Sequence, residues 1–325
     1  MSEKINCELE INMEIDLQYL LFLQNIRAAT GGVFDEFFNA LSKFAVDILP
    51  FLPFVIFWSV NKKWGYRFLF TGLCSDLLNG IVKLTVCAYR PWIRSDLIEP
   101  AGDSKVAATG YSFPSGHTVQ ATANYGTVIA AQKDKRKWLA ILCAVLIFVT
   151  GFSRNFLGVH TPQDVLIGFL EACLMILIIG KVQNQISGKE KLMDLLTLLG
   201  LFGIAASIFY VTNKPYPMDY VDGKLLVDPQ KMMNDIFKAC GAVSALLIGS
   251  YIDRHFIHYE IPQGSANLPV LTWIGFAILF SWKTLFSAPI VVTPLGGHWG
   301  NFVARFIMVL FGTTVWPLVI RKECK

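Results

Sequence analysis

Three basic residues have the types expected of an anion site: Lys83, Arg90 and Arg154. No matching set of three carboxylates accompanies them, so the three cations would repel one another unless an anion joined them. A phosphate group fits, because it carries negative charge and several acceptor oxygens. Arginine offers such a group a planar fork, and lysine offers it a point charge. The sequence therefore predicts that these residues converge on a phosphate group.

The segment Pro114-Ser115-Gly116-His117 precedes an apolar stretch and is expected to open a helix. Free backbone N–H groups at a helix start bind anions, and a glycine lets the backbone approach a ligand closely. Ser115 and Gly116 are therefore predicted to complete the phosphate site. His117 is in a position to give a proton to an oxygen that leaves phosphorus.

A second histidine is followed four residues later by an acid, as His160 and Asp164. Thr161 between them suits a helix N-cap, and Pro162 suits the first turn. This arrangement brings the Asp164 carboxylate within reach of the His160 ring. The carboxylate would fix the tautomer and leave the other ring nitrogen as a nucleophile, while the cations stabilise charge on the transferring phosphoryl group.

The composition excludes an ordinary soluble domain. Hydrophobic residues make up 54% of the 325 residues and charged residues only 16%, with a mean hydropathy of +0.50. Soluble domains carry roughly 25% charged residues, so we expect a polytopic membrane protein with the bilayer as a partner. The net charge of +4 is not gathered into one basic run, and no nucleic-acid partner is indicated. The seven cysteines form no CxxC pair, so no metal site is predicted.

The apolar stretches predict an all-α membrane helix bundle. A spanning helix needs about 20 residues, and the stretches are too long for barrel strands of roughly 10 residues. About nine transmembrane helices are expected, at 36–60, 66–88, 114–132, 138–156, 162–183, 190–212, 232–251, 268–288 and 300–320. The shorter apolar segment 15–26 is predicted to form an interfacial helix.

The distribution of basic residues predicts the orientation. The connections after the first, third, fifth, seventh and ninth spans hold 14 Lys and Arg, and those on the other side hold 9. Because cytoplasmic loops are richer in Lys and Arg, we expect the N-terminus outside and the C-terminus in the cytoplasm. A bacterial inner membrane is expected, with the three polar clusters facing the periplasm or outside. Four more basic residues within the spans are expected to snorkel or to form polar contacts between helices: Lys43, Lys238, Lys283 and Arg305.

Together the three clusters resemble the signature of the type 2 phosphatidic acid phosphatase (PAP2) superfamily. K-x6-R-P begins at Lys83, P-S-G-H begins at Pro114, and S-R-x5-H-x3-D begins at Ser153; all eleven fixed positions match in order. The signature covers residues 83–164, about a quarter of the chain. Nine spans with an outward N-terminus are similar to the bacterial members and to the sphingosine-1-phosphate phosphatase and glucose-6-phosphatase branches. The last branch lacks an acid at the position of Asp164, which argues against a sugar phosphate substrate.

This resemblance implies hydrolysis of phosphomonoesters or diphosphates through a phosphohistidine, with no metal or other cofactor. It implies His160 as the nucleophile, Asp164 as its partner and His117 as the acid for the leaving group. The residues implied to hold the phosphate are Lys83, Arg90, Ser115, Gly116 and Arg154. We accordingly expect an N-terminal interfacial segment over 1–35, a five-span catalytic core over 36–183 and a four-span extension over 184–325.

Three functions remain open from the sequence. The first is a lipid phosphate phosphatase, whose substrate would be phosphatidate, phosphatidylglycerophosphate, a sphingoid-base phosphate or a polyprenyl diphosphate. The second is a phosphatase of a water-soluble ester, similar to glucose-6-phosphatase. The third is a non-catalytic phosphate or phospholipid transporter, although the matched helix interruptions typical of transporters are not found. The oligomeric state is not predicted.

Overall fold

The computed structural model of the protein describes residues 14–102, 104–108, 110–221 and 223–324. The first half contains α1 Ile15–Ala29, α2 Asp35–Asp47, α3 Leu52–Ser59, α4 Lys62–Val86, α5 Pro91–Arg94, α6 Ser104–Ala107, α7 Gly116–Gln132, α8 Lys137–Phe156 and α9 Pro162–Ile186. The second half contains α10 Glu190–Asn213, the strands β1 Tyr220–Val221 and β2 Lys224–Leu225, α11 Pro229–Ile252, α12 Leu268–Ser281, α13 Thr293–Leu295, α14 Gly297–Leu310 and α15 Trp316–Glu323. A 3₁₀ turn, Leu49–Phe51, joins α2 to α3, and π-helical segments extend the later helices at Asp253–Ile257, Trp282–Phe286, Ala288–Val292 and Phe311–Val315.

The predicted all-α membrane bundle is confirmed, and the chain is an integral membrane protein. Eight stretches of the described chain are long and apolar enough to cross a bilayer. The expected third span is the exception, because α7 has only 17 residues. It packs against α4, α8 and α9, and Ala130 is its one exposed residue. Helix α7 therefore meets protein on nearly all sides, which explains how it accommodates several threonines and Asn124.

The helix predicted over 15–26 runs from Ile15 to Ala29 and lies across one end of the bundle. Its Arg27 donates to the carbonyl of Phe156 at 3.1 Å, where α8 ends. Its Asp16 accepts from Arg94 at 2.8 Å. These contacts fasten α1 to the connections that carry the predicted site.

The Lys- and Arg-rich connections gather at the opposite end of the bundle. Lys62 pairs with Asp253 at 2.7 Å, and Arg67 donates to the carbonyl of Gly180 at 2.7 Å. Near the C-terminus, Arg321 donates to the carbonyl of Ile257 at 2.7 Å. These contacts bring the connections after the first, fifth, seventh and ninth expected spans to one end of the bundle.

Helix α11 is the central element of the C-terminal half. It contacts α4, α10 and α14, and 72% of its most apolar 18-residue stretch is buried inside the protein. The close approach to α14 depends on Gly241, because a Cβ at this position would lie 2.1 Å from the carbonyl oxygen of Phe302. This contact holds α14 against the helix that also packs on α4.

Gly241→Ala is expected to destabilise the bundle, because the obstructing oxygen belongs to helix backbone and cannot rotate away. Overpacking of this kind costs about 1–3 kcal/mol. Gly203→Ala is the matched control, since a Cβ there would meet no atom within 4 Å. Thermal unfolding of the purified protein in detergent measures both variants. Equal melting temperatures would contradict the close packing of α11 on α14.

Candidate active site

Lys83 joins the end of α4 to the segment that precedes α7. Its Nζ donates to the carbonyl oxygens of Pro114 at 2.6 Å, Ser112 at 3.1 Å and Tyr111 at 3.4 Å. Three carbonyl acceptors replace part of the water that the ammonium loses on burial. The Lys83 side chain is thereby held at the N-terminal end of α7. The sequence predicts phosphate binding at this end of the helix.

Arg90 follows α4 and reaches the connection between α8 and α9. Its Nη1 lies 2.9 Å from the carbonyl oxygen of Val159 and 2.9 Å from Nε2 of His160, and its Nε donates to the carbonyl of Gly110 at 3.1 Å. Only 5% of the residue is exposed. The guanidinium is therefore fixed beside the imidazole that the sequence predicts as the nucleophile.

The starts of α7 and α9 are locked together. Ser115 is the N-cap of α7, and its hydroxyl oxygen accepts from the backbone N–H and the hydroxyl of Thr118. The backbone N–H of Ser115 donates to the carbonyl of Asp164 at 2.9 Å. Gly116 comes close to Asn79, since a Cβ would lie 3.4 Å from its Oδ1. The N-terminal ends of α7 and α9 therefore lie next to each other.

His160 and Asp164 form the pair expected from their spacing. Nδ1 of His160 lies 3.2 Å from Oδ2 of Asp164, and the same oxygen accepts from the backbone N–H of Thr161 at 2.9 Å. Thr161 in turn caps the backbone N–H of Asp164, which completes a capping box around Pro162 at the first turn. The carboxylate assigns the proton to Nδ1 and leaves the lone pair on Nε2, on the side of Arg90.

The surroundings of His160 favour the neutral imidazole. The residue lies in the connection between α8 and α9, outside the spanning helices, and is 2% exposed. Burial lowers the pKa of His160 well below its usual value and the Arg90 charge lowers this pKa further, whereas Asp164 acts in the opposite direction. A neutral ring with an unprotonated Nε2 is the form that a nucleophile requires, and a phosphate would take over the hydrogen bond that Arg90 now donates to Nε2.

A cavity of about 430 Å³ opens onto this cluster. Five of the predicted site residues line it: Lys83, Arg90, Gly116, His117 and His160. The other three are not among its lining residues: Ser115, Arg154 and Asp164. The structure therefore separates groups that can touch a ligand from groups that hold those groups in place.

Arg154 differs most from the expectation of direct phosphate contact. It is 2% exposed, and its Nη1 donates to the hydroxyl of Ser42 on α2 at 2.8 Å. Its backbone carbonyl accepts from the N–H groups of Val159 and His160. Its Nε has no hydrogen-bond partner among the described residues. Arg154 thus stabilises the connection that carries His160 through its backbone carbonyl, and its Nε can donate to a further acceptor.

Two residues of the site carry no signal in the sequence. Ser112 donates to Oδ2 of Asp164 at 2.5 Å and lies 3.4 Å from Nδ1 of His160. Glu171 lies about two and a half turns beyond the start of α9, and its Oε2 is 3.4 Å from Nδ2 of Asn79. Both residues reach the site through contacts between segments that are distant in the sequence, and the spacing of the motifs does not predict these contacts.

Comparisons with known proteins match the region of the chain that builds this cluster. The sequence model of the PAP2 superfamily matches residues 64–187, so the region that builds the cluster belongs to that superfamily. The chain is 25% identical over 132 residues to undecaprenyl-diphosphatase of Sulfolobus acidocaldarius, covering 40% of this chain and 61% of that protein. It is 29% identical over 128 residues to phosphatidylglycerophosphatase B of Bacillus subtilis, covering 37% and 62%. It is 26% identical over 193 residues to lipid phosphate phosphatase delta of Arabidopsis thaliana, covering 54% and 45%.

The chain therefore spans 45–62% of the length of these relatives. No solved structure matches the chain significantly.

Tungstate, which imitates phosphate, is expected to bind at this cluster and to raise the melting temperature. Arg90→Met removes a buried guanidinium beside His160 and should weaken tungstate binding at least tenfold, because charge-assisted hydrogen bonds contribute about 1.5–3 kcal/mol. The matched control is Arg254→Met at the far end of the bundle, where Arg254 pairs with Asp194 at 2.9 Å. Thermal unfolding at increasing tungstate concentrations gives the apparent Kd. Equal affinity in the two variants would contradict an anion site at Arg90.

Proposed function

We propose that the protein is an integral-membrane lipid phosphate phosphatase that hydrolyses phosphomonoester or diphosphate head groups through a phosphohistidine. One observation carries the proposal: the His160 ring is held between the Asp164 carboxylate on Nδ1 and the Arg90 guanidinium beside Nε2. A carboxylate on one nitrogen and a cation beside the other suit an imidazole that attacks an anionic phosphorus centre. Binding alone would require neither the tautomer control nor the acid.

The first proposed step transfers the phosphoryl group to His160. The Nε2 lone pair forms a bond to phosphorus while the bond from phosphorus to the leaving oxygen breaks. His117, which lines the same cavity, gives its proton to that oxygen, so the leaving group departs as an alcohol or a phosphate. Lys83 and Arg90 stabilise the charge on the phosphoryl oxygens, and Asp164 stabilises the imidazolium that forms.

The second proposed step releases the phosphate. A water molecule attacks phosphorus, and His117, now neutral, accepts the proton that this water loses. The bond between phosphorus and Nε2 breaks, and its electron pair returns to His160. Both histidines regain their starting protonation states, and the net reaction consumes one water.

Two observations support a lipid as the substrate. The site lies at one end of a bundle of apolar helices, where a phosphate head can reach it from the membrane surface. The names of all three relatives indicate substrates of this kind: undecaprenyl diphosphate, phosphatidylglycerophosphate and lipid phosphates. Lipid phosphates therefore take precedence over water-soluble esters in the proposal.

We further propose that the site faces the periplasm or outside of a bacterial inner membrane, with the C-terminus in the cytoplasm. The Lys- and Arg-rich connections lie at the opposite end of the bundle from His160, which supports this orientation under the positive-inside rule. We also retain the division into an interfacial segment over 1–35, a catalytic core over 36–183 and an extension over 184–325. The family match at 64–187 supports the location of the core.

His160→Ala is expected to abolish phosphate release from lipid phosphates while the protein still inserts and folds, because no other group lies at the position of Nε2. Brief incubation of the wild type with a ³²P-labelled lipid phosphate should trap an acid-labile label that the variant lacks. His298→Ala is the matched control, since His298 contacts Gln230 and Asn234 and does not line the cavity. Normal turnover by His160→Ala would disprove the assignment of the nucleophile.

The pH dependence should follow the protonation of His160. Because burial and Arg90 lower the pKa of His160, the neutral ring persists below the usual histidine value of about 6.5, and phosphoenzyme formation should persist there too. Arg90→Met removes a charge that opposes protonation, so this pKa rises and the acid limb of kcat/KM moves to higher pH. Arg254→Met should leave the limb in place. A limb that stays or moves to lower pH in Arg90→Met would contradict the electrostatic account.

A further inference from the structure

The cavity continues from the cluster into the membrane interior, where charged residues line it. Five of them form what we call the inner polar belt: Asp76, Asp235, Lys238, Lys283 and Arg305. Asp76 comes from α4, and the other four come from the C-terminal spans. Ionisable residues within spanning segments are costly to bury and usually mark functional pathways. The extension therefore contributes groups to the same cavity as His160.

Two cations of the inner polar belt are already paired. Lys238 pairs with Asp235 on the same helix at 2.9 Å. Lys283 pairs with Asp47 at 3.0 Å, which is the kind of contact between helices expected for this lysine. Arg305 and Asp76 differ, because neither lies within 4 Å of an opposite charge in the described part of the chain. A donor-only guanidinium and an acceptor carboxylate thus line one cavity without pairing with each other.

The belt lies at a defined depth from the phosphate cluster. Asp76 precedes Lys83 by seven residues on α4, which corresponds to about 10 Å along the helix. Asn79 and Gln120 line the cavity between these levels. Beyond the belt the lining becomes apolar, with Phe54, Leu69 and Val309. A ligand whose phosphate lies at His160 would therefore have polar groups within reach for about 10 Å along α4.

We propose that the inner polar belt selects a leaving group that carries hydroxyl groups within about 10 Å of the phosphate. A hydroxyl donates to the Asp76 carboxylate and accepts from the Arg305 guanidinium, so it satisfies both groups at once. Gln120 already forms a hydrogen bond with Asp76, but an acyl or prenyl chain beside Asp76 and Arg305 would offer neither group a further hydrogen bond. The belt residues act on specificity, and the inference rests on the proposed phosphatase function of the same site.

Two substrates share this chemistry and differ in their source. Phosphatidylglycerophosphate carries its terminal phosphate on a glycerol that is part of a lipid, and glucose 6-phosphate carries its phosphate on a soluble sugar. Phosphatidate has a diacylglycerol leaving group without hydroxyl groups and is the reference. The test compares kcat/KM for the three substrates with the purified full-length protein in mixed micelles. The wild type should prefer at least one hydroxyl-bearing substrate to phosphatidate by tenfold or more, and which one it prefers identifies the source.

Asp76→Asn and Arg305→Gln should each lower this preference at least tenfold, mainly through KM, because a charged partner of the hydroxyl is lost. Arg254→Gln at the far end should keep it. Asp76→Asn is nearly isosteric and decides the matter if Arg305→Gln does not fold. A wild type that prefers phosphatidate, or a preference that folded variants keep, overturns the role of the belt.

A binding measurement separates this inference from the phosphatase proposal. In His160→Ala protein, glucose 6-phosphate or phosphatidylglycerophosphate should raise the melting temperature more than inorganic phosphate does, and adding Asp76→Asn should remove the difference. If the wild type hydrolyses none of the three substrates and no polyprenyl diphosphate, the phosphatase proposal fails, and the binding result still tests the role of the belt. An equal shift with inorganic phosphate and with both esters overturns the selection of a hydroxyl-bearing group.

Discussion

The hydrogen bond between His160 and Asp164 is the contact on which the rest of the site depends. It spans 3.2 Å within a capping box, so the carboxylate that orients the ring also begins α9. The backbone carbonyl of Asp164 then accepts from Ser115 and fixes the start of α7. One residue thereby sets the tautomer of the proposed nucleophile and the relative height of two helices. Displacing either helix would move the ring away from the phosphate cluster.

The burial of three basic side chains explains how the surrounding segments are arranged. Isolated ions are costly to remove from water, and each cation here has acquired oxygen acceptors in place of a fixed carboxylate partner. Lys83 uses the carbonyls before α7, Arg90 uses those of Gly110 and Val159, and Arg154 uses the Ser42 hydroxyl. Carbonyl and hydroxyl dipoles offset desolvation without neutralising charge. The cluster therefore keeps a positive potential that an anion can use.

The sequence predicts the parts of the structure that local physical rules govern. Helix α9 is predicted from residue 162 and begins at Pro162, because Thr161 and Asp164 are a cap and its capping-box partner three residues apart. The second span, expected over 66–88, runs over Lys62–Val86. The third span was expected as an ordinary membrane helix, whereas α7 is shorter and enclosed. Apolar content alone does not show that neighbouring helices replace lipid around a span.

Contacts between distant segments account for what the sequence does not predict. Ser42 meets Arg154 across 112 positions, and no periodicity or cap relates the two. Ser112 has no pattern of its own, and only the fold brings it to Asp164. The same holds for Arg305, for which the sequence predicts snorkelling or a polar contact between helices; α14 packs on α11, and Arg305 lines the cavity.

In the proposed function, chemistry and substrate selection belong to two different regions of this chain. The motif residues that line the cavity lie within 64–187, the region that matches the family. The opposite wall, from Met232 to Val309, comes from the extension. A phosphoryl group is the same in every phosphate ester, so the groups that hold it need not change with the substrate. The leaving group does change, and in this chain the cavity wall that belongs to the extension is placed to meet it. The C-terminal spans are therefore the region in which differences of substrate between this protein and shorter members should be sought.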